Sequence, residues 1–144
     1  MENLEQVLKL WEKDADIDRT EPGNELIKIP KLHNKYLTIM TSHRFALEKA
    51  NFDYLRMRKI KWEYYTGKLS QEELQEYGWE PFRYTLKSDI STYLESDNDL
   101  IKLLEKKMYH KETVSVIEAI MSELKSRTFQ LRDFIQWERF IGGN

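Results

Sequence analysis

The sequence predicts a mainly α-helical protein whose long amphipathic helices pack in the manner of a coiled coil. Five Gly and three Pro in 144 residues, with 33% charged residues, are typical of a helix-rich chain, because few positions then demand special backbone angles. Apolar residues also recur at alternating spacings of three and four along two long stretches, which marks one face of a helix. A chain of this length is expected to form a single domain.

Residues 1–29 are expected to form an acidic N-terminal helix and a linker. The helix should cover residues 3–13, since its apolar residues are spaced for one helix face. These residues are Leu4, Val7, Leu8 and Trp11. A linker or turn is expected over Asp14-Ala15-Asp16-Ile17-Asp18 and the following stretch Glu21-Pro22-Gly23-Asn24. The aspartates before it lack the glycine and the closing glutamate of a calcium loop, so no metal site is predicted.

Residues 30–67 are expected to form one long basic helix. Pro30 suits a first helical turn, and Gly67 can adopt the left-handed conformation that closes a helix. One face carries a 4-3 repeat of Tyr36, Met40, His43, Leu47, Ala50, Tyr54, Met57, Lys61 and Tyr64. A second stripe consists of Phe45, Phe52, Leu55, Lys59 and Trp62. Both stripes turn basic near the end, where Lys59 and Lys61 lie about 160° apart around the helix.

Residues 68–98 combine a short helix with an ambiguous segment. Ser70 and Glu73 form a capping-box pattern, and Gly78 is placed to end that helix. Polar and apolar residues then alternate over 82–86 and again over 90–94. This alternation is compatible with two short strands, so a small β-hairpin within residues 81–94 is one interpretation.

Residues 99–144 are expected to form C-terminal helices over 99–108 and 111–141, ending at Gly142-Gly143. The second helix carries a 3-4 repeat, typical of a coiled-coil seam. The predicted oligomerisation residues on this seam are Val114, Ile117, Met121, Leu124, Leu131 and Ile135. Two interpretations stay open for the seam, an intramolecular core and an interface between subunits.

Positive charge is concentrated in one segment, although the net charge of the whole chain is −2. Residues 28–68 carry ten Lys and Arg against three Asp and Glu, a net charge of +7. Within residues 56–67, four cations directly precede three large aromatic residues. Cations bind a nucleic-acid backbone and aromatic rings stack on bases, so this stretch is a candidate nucleic-acid-binding site. The alternative is a helix end whose cations form salt bridges and whose rings belong to the core.

The predicted DNA-binding residues all lie in or directly after this stretch. They are Arg56, Arg58, Lys59, Lys61, Trp62, Tyr65 and Lys68.

Catalytic and cofactor-binding patterns do not occur in the sequence. The three histidines lie far apart, and there is no zinc-protease motif, phosphate-binding glycine loop or serine-hydrolase turn. We therefore expect a protein that is not an enzyme and that needs no cofactor or metal. No cysteine, no signal-peptide pattern and no apolar run near the ~20 residues of a membrane span occur, which predicts a cytoplasmic location.

Four short motifs follow one another between about residues 30 and 140. They are Leu32-x-x-Lys35-Tyr36-Leu37, Lys59 and Lys61 before Trp62-Glu63-Tyr64-Tyr65-Thr66-Gly67, Leu94-x-x-Asp97-x-Asp99, and Lys125-Ser126-Arg127-x-Phe129. In this order and spacing they resemble the UvsY-type recombination mediators of T-even-related bacteriophages. The resemblance implies a small helical accessory protein that forms a closed ring of about six to eight subunits.

Such a mediator binds single-stranded DNA coated by the phage single-strand DNA-binding protein, weakens that coat, and promotes loading of the phage RecA-like recombinase in the infected host cell. The resemblance further implies that Lys59 and Lys61 contact DNA and that the C-terminal helix assembles the ring. An alternative function is a helical scaffold or assembly chaperone that binds an acidic protein partner.

Overall fold

The computed structural model describes residues 1–82 and 86–143. Its elements in chain order are α1 (Leu4–Asp14), α2 (Pro22–Tyr65), α3 (Gln71–Tyr77), a 3-10 turn (Lys87–Asp89), α4 (Ile90–Glu95) and α5 (Asn98–Ile141). Every regular element within the described ranges is helical, which confirms the predicted mainly α-helical fold. Where composition predicts a single domain, the chain divides into two compact units. Unit 1 comprises Met1–Phe45 and His110–Asn144, and unit 2 comprises Ala46–Tyr109.

Helix α2 begins at Pro22, before the predicted start at Pro30. Pro22 occupies the first helical position, where the missing N–H costs nothing because first-turn N–H groups have no partner within the helix. Pro30 lies inside the helix, where it cannot donate to the carbonyl four residues earlier. The predicted linker is therefore shorter than expected: residues 15–21 connect α1 to α2, whereas Pro22, Gly23 and Asn24 belong to the helix.

Helix α5 is continuous from Asn98 to Ile141, so the predicted break between residues 108 and 111 is also wrong. The sequence contains no Gly or Pro between these two ends. Because nothing removes a backbone donor or favours another conformation, the hydrogen-bond ladder continues through His110.

The second strand of the predicted hairpin does not form, because residues 90–94 belong to α4. Ile90 and Leu94 lie four residues apart, and Leu94 is buried while Ile90 is half-buried. This is the spacing of one helix face, and burial of that face decides against the alternating strand pattern. The first predicted strand includes residues 83–85, which lie outside the described residues.

Helix α3 begins and ends where the sequence predicts. Ser70 is its N-cap, and the Ser70 hydroxyl oxygen accepts a hydrogen bond from the Glu73 N–H at 3.2 Å. Gly78 follows the helix with a φ of +70°, a left-handed conformation that other residues rarely adopt.

Unit 1 is a three-helix arrangement in which α1 packs with the first part of α2 and the last part of α5. Its buried core consists of Val7, Tyr36, Ile39, Met40, Val114, Ile117, Ile120 and Leu124. The 4-3 stripe of α2 and the 3-4 seam of α5 therefore meet within one chain. This contact gives each helix the buried apolar face that an isolated helix lacks.

The seam residues of α5 are core residues of this unit. Ile117 and Leu124 have no exposed surface, Val114 and Leu131 are buried, and Met121 packs against the same core. A side chain that its own chain covers completely cannot also contact a second subunit unless the core opens. The structure therefore favours the intramolecular interpretation of the seam over the oligomerisation role that we predicted for Val114, Ile117, Met121, Leu124 and Leu131. Ile135 is half-buried, and its predicted role in oligomerisation stays a prediction.

Polar side chains hold the end of α1 in place within unit 1. The Asp14 carboxylate accepts hydrogen bonds from Lys35 Nζ at 2.7 Å and from the Tyr36 hydroxyl at 2.8 Å. The buried guanidinium of Arg127 donates to the carbonyl oxygens of Asp14 and Ala15 at 3.0 and 3.1 Å. A cation at these carbonyls is favourable because the last C=O groups of a helix lack backbone partners and carry partial negative charge.

Candidate nucleic-acid interface

The last turn of α2 closes as its glycine predicts. Gly67 has a φ of +71°, and its N–H donates to the Tyr64 carbonyl at 3.1 Å. The Lys68 N–H donates to the Glu63 carbonyl at 2.8 Å. These two bonds form the Schellman closure, which reverses the chain. As a result the Lys68 ammonium lies over the Trp62 ring, 4.1 Å from its centroid.

Lys61 lies inside unit 2 and is only 5% exposed. Its ammonium lies 3.1 Å from Asp97 Oδ2 and 2.8 Å from Asp99 Oδ2, and 3.9 Å from the centroid of the Trp79 ring. Lys59, two residues earlier, lies on the opposite side of the helix, about 160° away, and is exposed. The resemblance implies DNA contacts for both lysines, but the structure leaves only Lys59 accessible to a strand.

Asp97 connects the start of α5 with the end of α2 in unit 2. Its Oδ1 accepts from the Leu100 N–H at 3.0 Å and so caps α5, while Oδ2 accepts from the Tyr65 hydroxyl at 2.6 Å and from Lys61. Burial alone raises the pKa of Asp97, but the hydrogen bonds from Tyr65, Leu100 and Lys61 outweigh it and hold that pKa below its ordinary value. Burial and the bond to Asp97 raise the pKa of Tyr65.

We expect acid to destabilise unit 2 through Asp97. Because the folded-state pKa of Asp97 lies below the unfolded-state value, its contribution is present above about pH 4 and is lost as the pH falls through the folded-state pKa. Urea unfolding between about pH 6 and pH 3 should therefore show a smaller loss of stability in Asp97→Asn than in wild type. Asp133→Asn, which changes an exposed carboxylate, is the control and should follow wild type. Equal pH dependence in wild type and Asp97→Asn would contradict the assignment.

Four of the predicted DNA-binding cations are exposed. They are Arg56, Arg58, Lys59 and Lys68. Arg56 and Arg58 lie about 160° apart around α2, so they project from different sides of the helix. Arg58 and Trp62 are one turn apart on a shared face, and Trp62 is 38% exposed. The structure thus brings Arg58, Trp62 and Lys68 together, with Lys59 beside them.

Tyr65 has a structural role besides its place near these cations. Its hydroxyl is bonded to Asp97, and its ring lies 5.1 Å from Phe82 and 5.5 Å from Tyr93 between centroids. The Tyr65 ring is therefore fixed as part of an aromatic cluster in unit 2. It can present an edge to a ligand, but its hydroxyl is already engaged.

A groove of about 670 Å³ runs beside these residues within unit 2. It is lined by Arg58, Trp62, Tyr65, Thr66, Gly67, Lys68, Phe82, Lys87, Ile90, Ser91 and Leu94. One wall is the end of α2 and its closing turn, and the other is the 3-10 turn with α4. The groove combines an apolar floor with three cations, a combination suited to a ligand that has both flat rings and negative charge.

Lys87, Phe82 and Ser91 are groove residues that the sequence did not reveal. They lie 20 to 29 residues beyond Trp62, in the segment where a hairpin was one interpretation. No spacing rule connects a residue of a 3-10 turn with a helix so far away in the chain. Only the helical assignment of residues 90–95 could have indicated that this segment packs against α2.

The described residues contain neither a candidate metal cluster nor a candidate membrane span. Within residues 1–82 and 86–143, His, Asp and Glu side chains do not converge in groups of three or more that could hold a metal ion. None of the helices in these ranges combines the length and hydropathy that a bilayer span requires.

Solved structures show the same fold. The structure matches crystal structures of the bacteriophage T4 recombination mediator protein UvsY in three lattice forms. In lattice type II the TM-score is 0.84 at 24% identity, over 100% of both chains. Type IV gives 0.84 at 22% over 96% of this chain and 99% of that one, and type I gives 0.80 at 22% over 92% and 96%. Comparison with curated protein sequences gives no match.

A family model also matches the sequence. It is described as the recombination, repair and ssDNA binding protein UvsY, and it covers residues 10–144. This match includes all four motifs on which the resemblance rested, and so confirms it. Since the family model matches nearly the whole chain, the protein belongs to the UvsY family of recombination, repair and single-stranded-DNA-binding proteins.

Proposed function

We propose that this protein binds single-stranded DNA as a recombination mediator, that it weakens the coat of a phage single-strand DNA-binding protein, and that it promotes loading of a phage RecA-like recombinase. The observation that carries the proposal is the cluster at the end of α2, where exposed cations surround a Trp62 ring that is 38% exposed. Family membership supports the same role.

The contacts with the strand come mainly from Arg58, Lys59 and Lys68, with Arg56 on another side of the helix. These side chains are exposed, so they can exchange water and counterions for phosphate oxygens. Each phosphate that they neutralise releases a counterion, and affinity then falls steeply with salt. Lys61 is outside this contact set, because its charge is already paired with Asp97 and Asp99.

Assembly into a ring of about six to eight subunits would place several copies of this weak site in one particle. One strand could then bind several subunits at once, which raises the overall affinity. The buried seam of α5 is not available for that contact, but exposed apolar side chains are present on the same helix. Those at its C-terminal end are Phe129, Trp137, Phe140 and Ile141. Large apolar side chains that remain exposed in a single chain are typical of a subunit interface. We assign the ring contact to this face of the C-terminal end of α5.

Ring closure also explains how the coat would be weakened. A strand that binds several subunits at once follows the spacing of their sites and not the path that its coat protein prefers. The coat protein then holds the strand less tightly, and the recombinase can begin to bind. This step requires the multivalent binding that the ring provides.

Removing two exposed charges near the end of α2 tests the DNA-binding proposal. In Arg58→Ala/Lys59→Ala, affinity for oligo-dT should fall, and the slope of log K against log salt should decrease by roughly 1.4 per engaged protomer, since each lost phosphate contact accounts for about 0.7. Fluorescence anisotropy at several salt concentrations measures both quantities. Lys102→Ala/Lys106→Ala is the matched control, because it removes two exposed charges from α5 in the same unit. An unchanged slope in the first variant would exclude these residues as phosphate contacts.

Mediator activity has its own test. DNA-dependent ATP hydrolysis by a RecA-like recombinase should be slow on a strand coated by the single-strand DNA-binding protein and should rise when wild-type protein is added. The Arg58→Ala/Lys59→Ala variant should restore less of this activity than the Lys102→Ala/Lys106→Ala control. If wild type binds the strand but does not stimulate the recombinase, the mediator role is wrong and strand binding alone remains.

A further inference from the structure

We propose that the groove in unit 2 is a base-binding pocket, which takes one unstacked base of a single strand against Trp62 while Arg58, Lys68 and Lys87 bind the neighbouring phosphates. This assignment rests on the proposed strand binding and extends it in two respects. The protein recognises bases as well as phosphates, and Lys87, from the 3-10 turn, completes the site opposite α2.

The size and lining of the groove fit a nucleotide. Its volume of about 670 Å³ lies within the range of small-molecule sites, roughly 300 to 1,000 Å³. Phe82, Ile90 and Leu94 give it an apolar floor, and Arg58, Lys68 and Lys87 provide three cations along its edges. A nucleotide offers a flat ring and a phosphate in every repeat, which matches this alternation of rings and cations.

The same geometry favours a single strand over a duplex. In a duplex the faces of the bases are stacked on one another, so no base can lie flat on Trp62 unless it first leaves the stack. A single strand can present an unpaired base at little cost. The groove therefore selects for unpaired DNA without any hydrogen bonds to particular base edges.

Lys68 has a second role in this pocket. In the free protein its ammonium lies 4.1 Å from the centroid of the Trp62 ring, a cation–π contact at an exposed position. A base that stacks on this face takes the place of the ammonium. The flexible Lys68 side chain then moves to a phosphate, so the ammonium that lay over the ring contributes to strand binding.

Abasic oligonucleotides test the pocket with wild-type protein. A dT strand is compared with a strand of the same length and phosphate number that carries abasic sites. Loss of one base–aromatic stack should weaken binding of the abasic strand by roughly 5- to 150-fold for each engaged pocket. Equal affinity for the two strands would overturn the base pocket but not strand binding. Failure to bind either strand would overturn the proposed function itself.

Two variants locate the effect. Trp62→Ala should bind both strands with the same affinity, while Phe45→Ala, which removes an exposed aromatic ring elsewhere on α2, should keep the preference for dT.

Lys87→Ala should keep the preference but lower the salt slope by roughly 0.7 per engaged protomer, and Lys102→Ala should not change the slope. Circular dichroism verifies that each variant is folded. A dT preference that survives in Trp62→Ala, or an unchanged slope in Lys87→Ala, would contradict the assignment.

An acidic peptide is the competing occupant. A peptide of alternating Glu and Phe presents rings and negative charges without bases. We expect it to displace the dT strand no better than the abasic strand does. Strong displacement that Trp62→Ala abolishes would assign the groove to a protein ligand and overturn the base pocket.

Discussion

Replacement of Lys61 by methionine is expected to lower the free energy of unfolding by about 3 to 5 kcal/mol, the usual cost of removing one partner of a buried ion pair. The reason is Asp97, which is 6% exposed and would be left without its cation. Methionine is unbranched and only one heavy atom shorter than lysine, so the loss reports mainly on the missing charge. Urea unfolding followed by circular dichroism measures the change.

Lys59→Met provides the matched control, because it makes the same substitution two residues earlier at an exposed position. Its effect on stability should lie within about 0.5 kcal/mol. DNA binding is then compared at equal concentrations of folded protein. There the larger effect should come from Lys59→Met, which should lower the slope of log K against log salt. If Lys61→Met is as stable as Lys59→Met and lowers the salt slope, Lys61 is a DNA contact and the buried pair has no structural role.

Asp99→Asn separates these two roles of Lys61 by the sign of its effect. Asp99 Oδ2 lies 2.8 Å from the Lys61 ammonium, and its side chain is 47% exposed. If Lys61 anchors unit 2, Asp99→Asn should lower the free energy of unfolding and should not raise the affinity for a strand. If Lys61 contacts the strand, removal of the competing carboxylate should raise affinity for DNA.

The second large effect concerns the seam of α5. Ile117→Glu is expected to unfold unit 1, since Ile117 has no exposed surface and the glutamate would bring a charge into a core formed by Val7, Tyr36 and Leu124. Leu124→Ala is a milder test at the same seam and should cost about 2 to 5 kcal/mol. Thermal unfolding by circular dichroism measures both variants.

Phe140→Glu is the contrasting variant, because Phe140 is 75% exposed in the single chain. It should keep the helical fold and the stability of the chain. If the exposed face of α5 closes the ring, this variant should be smaller than wild type in native mass spectrometry. Folded monomers from Ile117→Glu, with an intact assembly in Phe140→Glu, would restore the seam as the oligomer interface.

The features of the fold that depend on nearby residues could be predicted from the sequence. Gly67, Ser70 and Gly78 set helix ends through their own backbone preferences and short-range hydrogen bonds, and the structure places the ends there. The stripes of α2 and α5 followed from helix period, because the position of a side chain around a helix is fixed by its number. The angle between Lys59 and Lys61 followed for the same reason.

What these faces contact could not be predicted, because each such feature depends on residues that are distant in the chain. The same seam pattern fits a core or a subunit interface, and only packing of α1, α2 and α5 in unit 1 identifies it as core. Charge density marked residues 56–68 as a candidate DNA site, yet Lys61 is withdrawn from solvent by Asp97 and Asp99, more than 30 residues away. Lys87 enters the groove because α4 is helical, and burial of Leu94 stabilises that helix against a strand pattern. Periodicity thus gave the cations their positions around α2, and long-range ion pairs and burial determined which of them remain free to bind a strand.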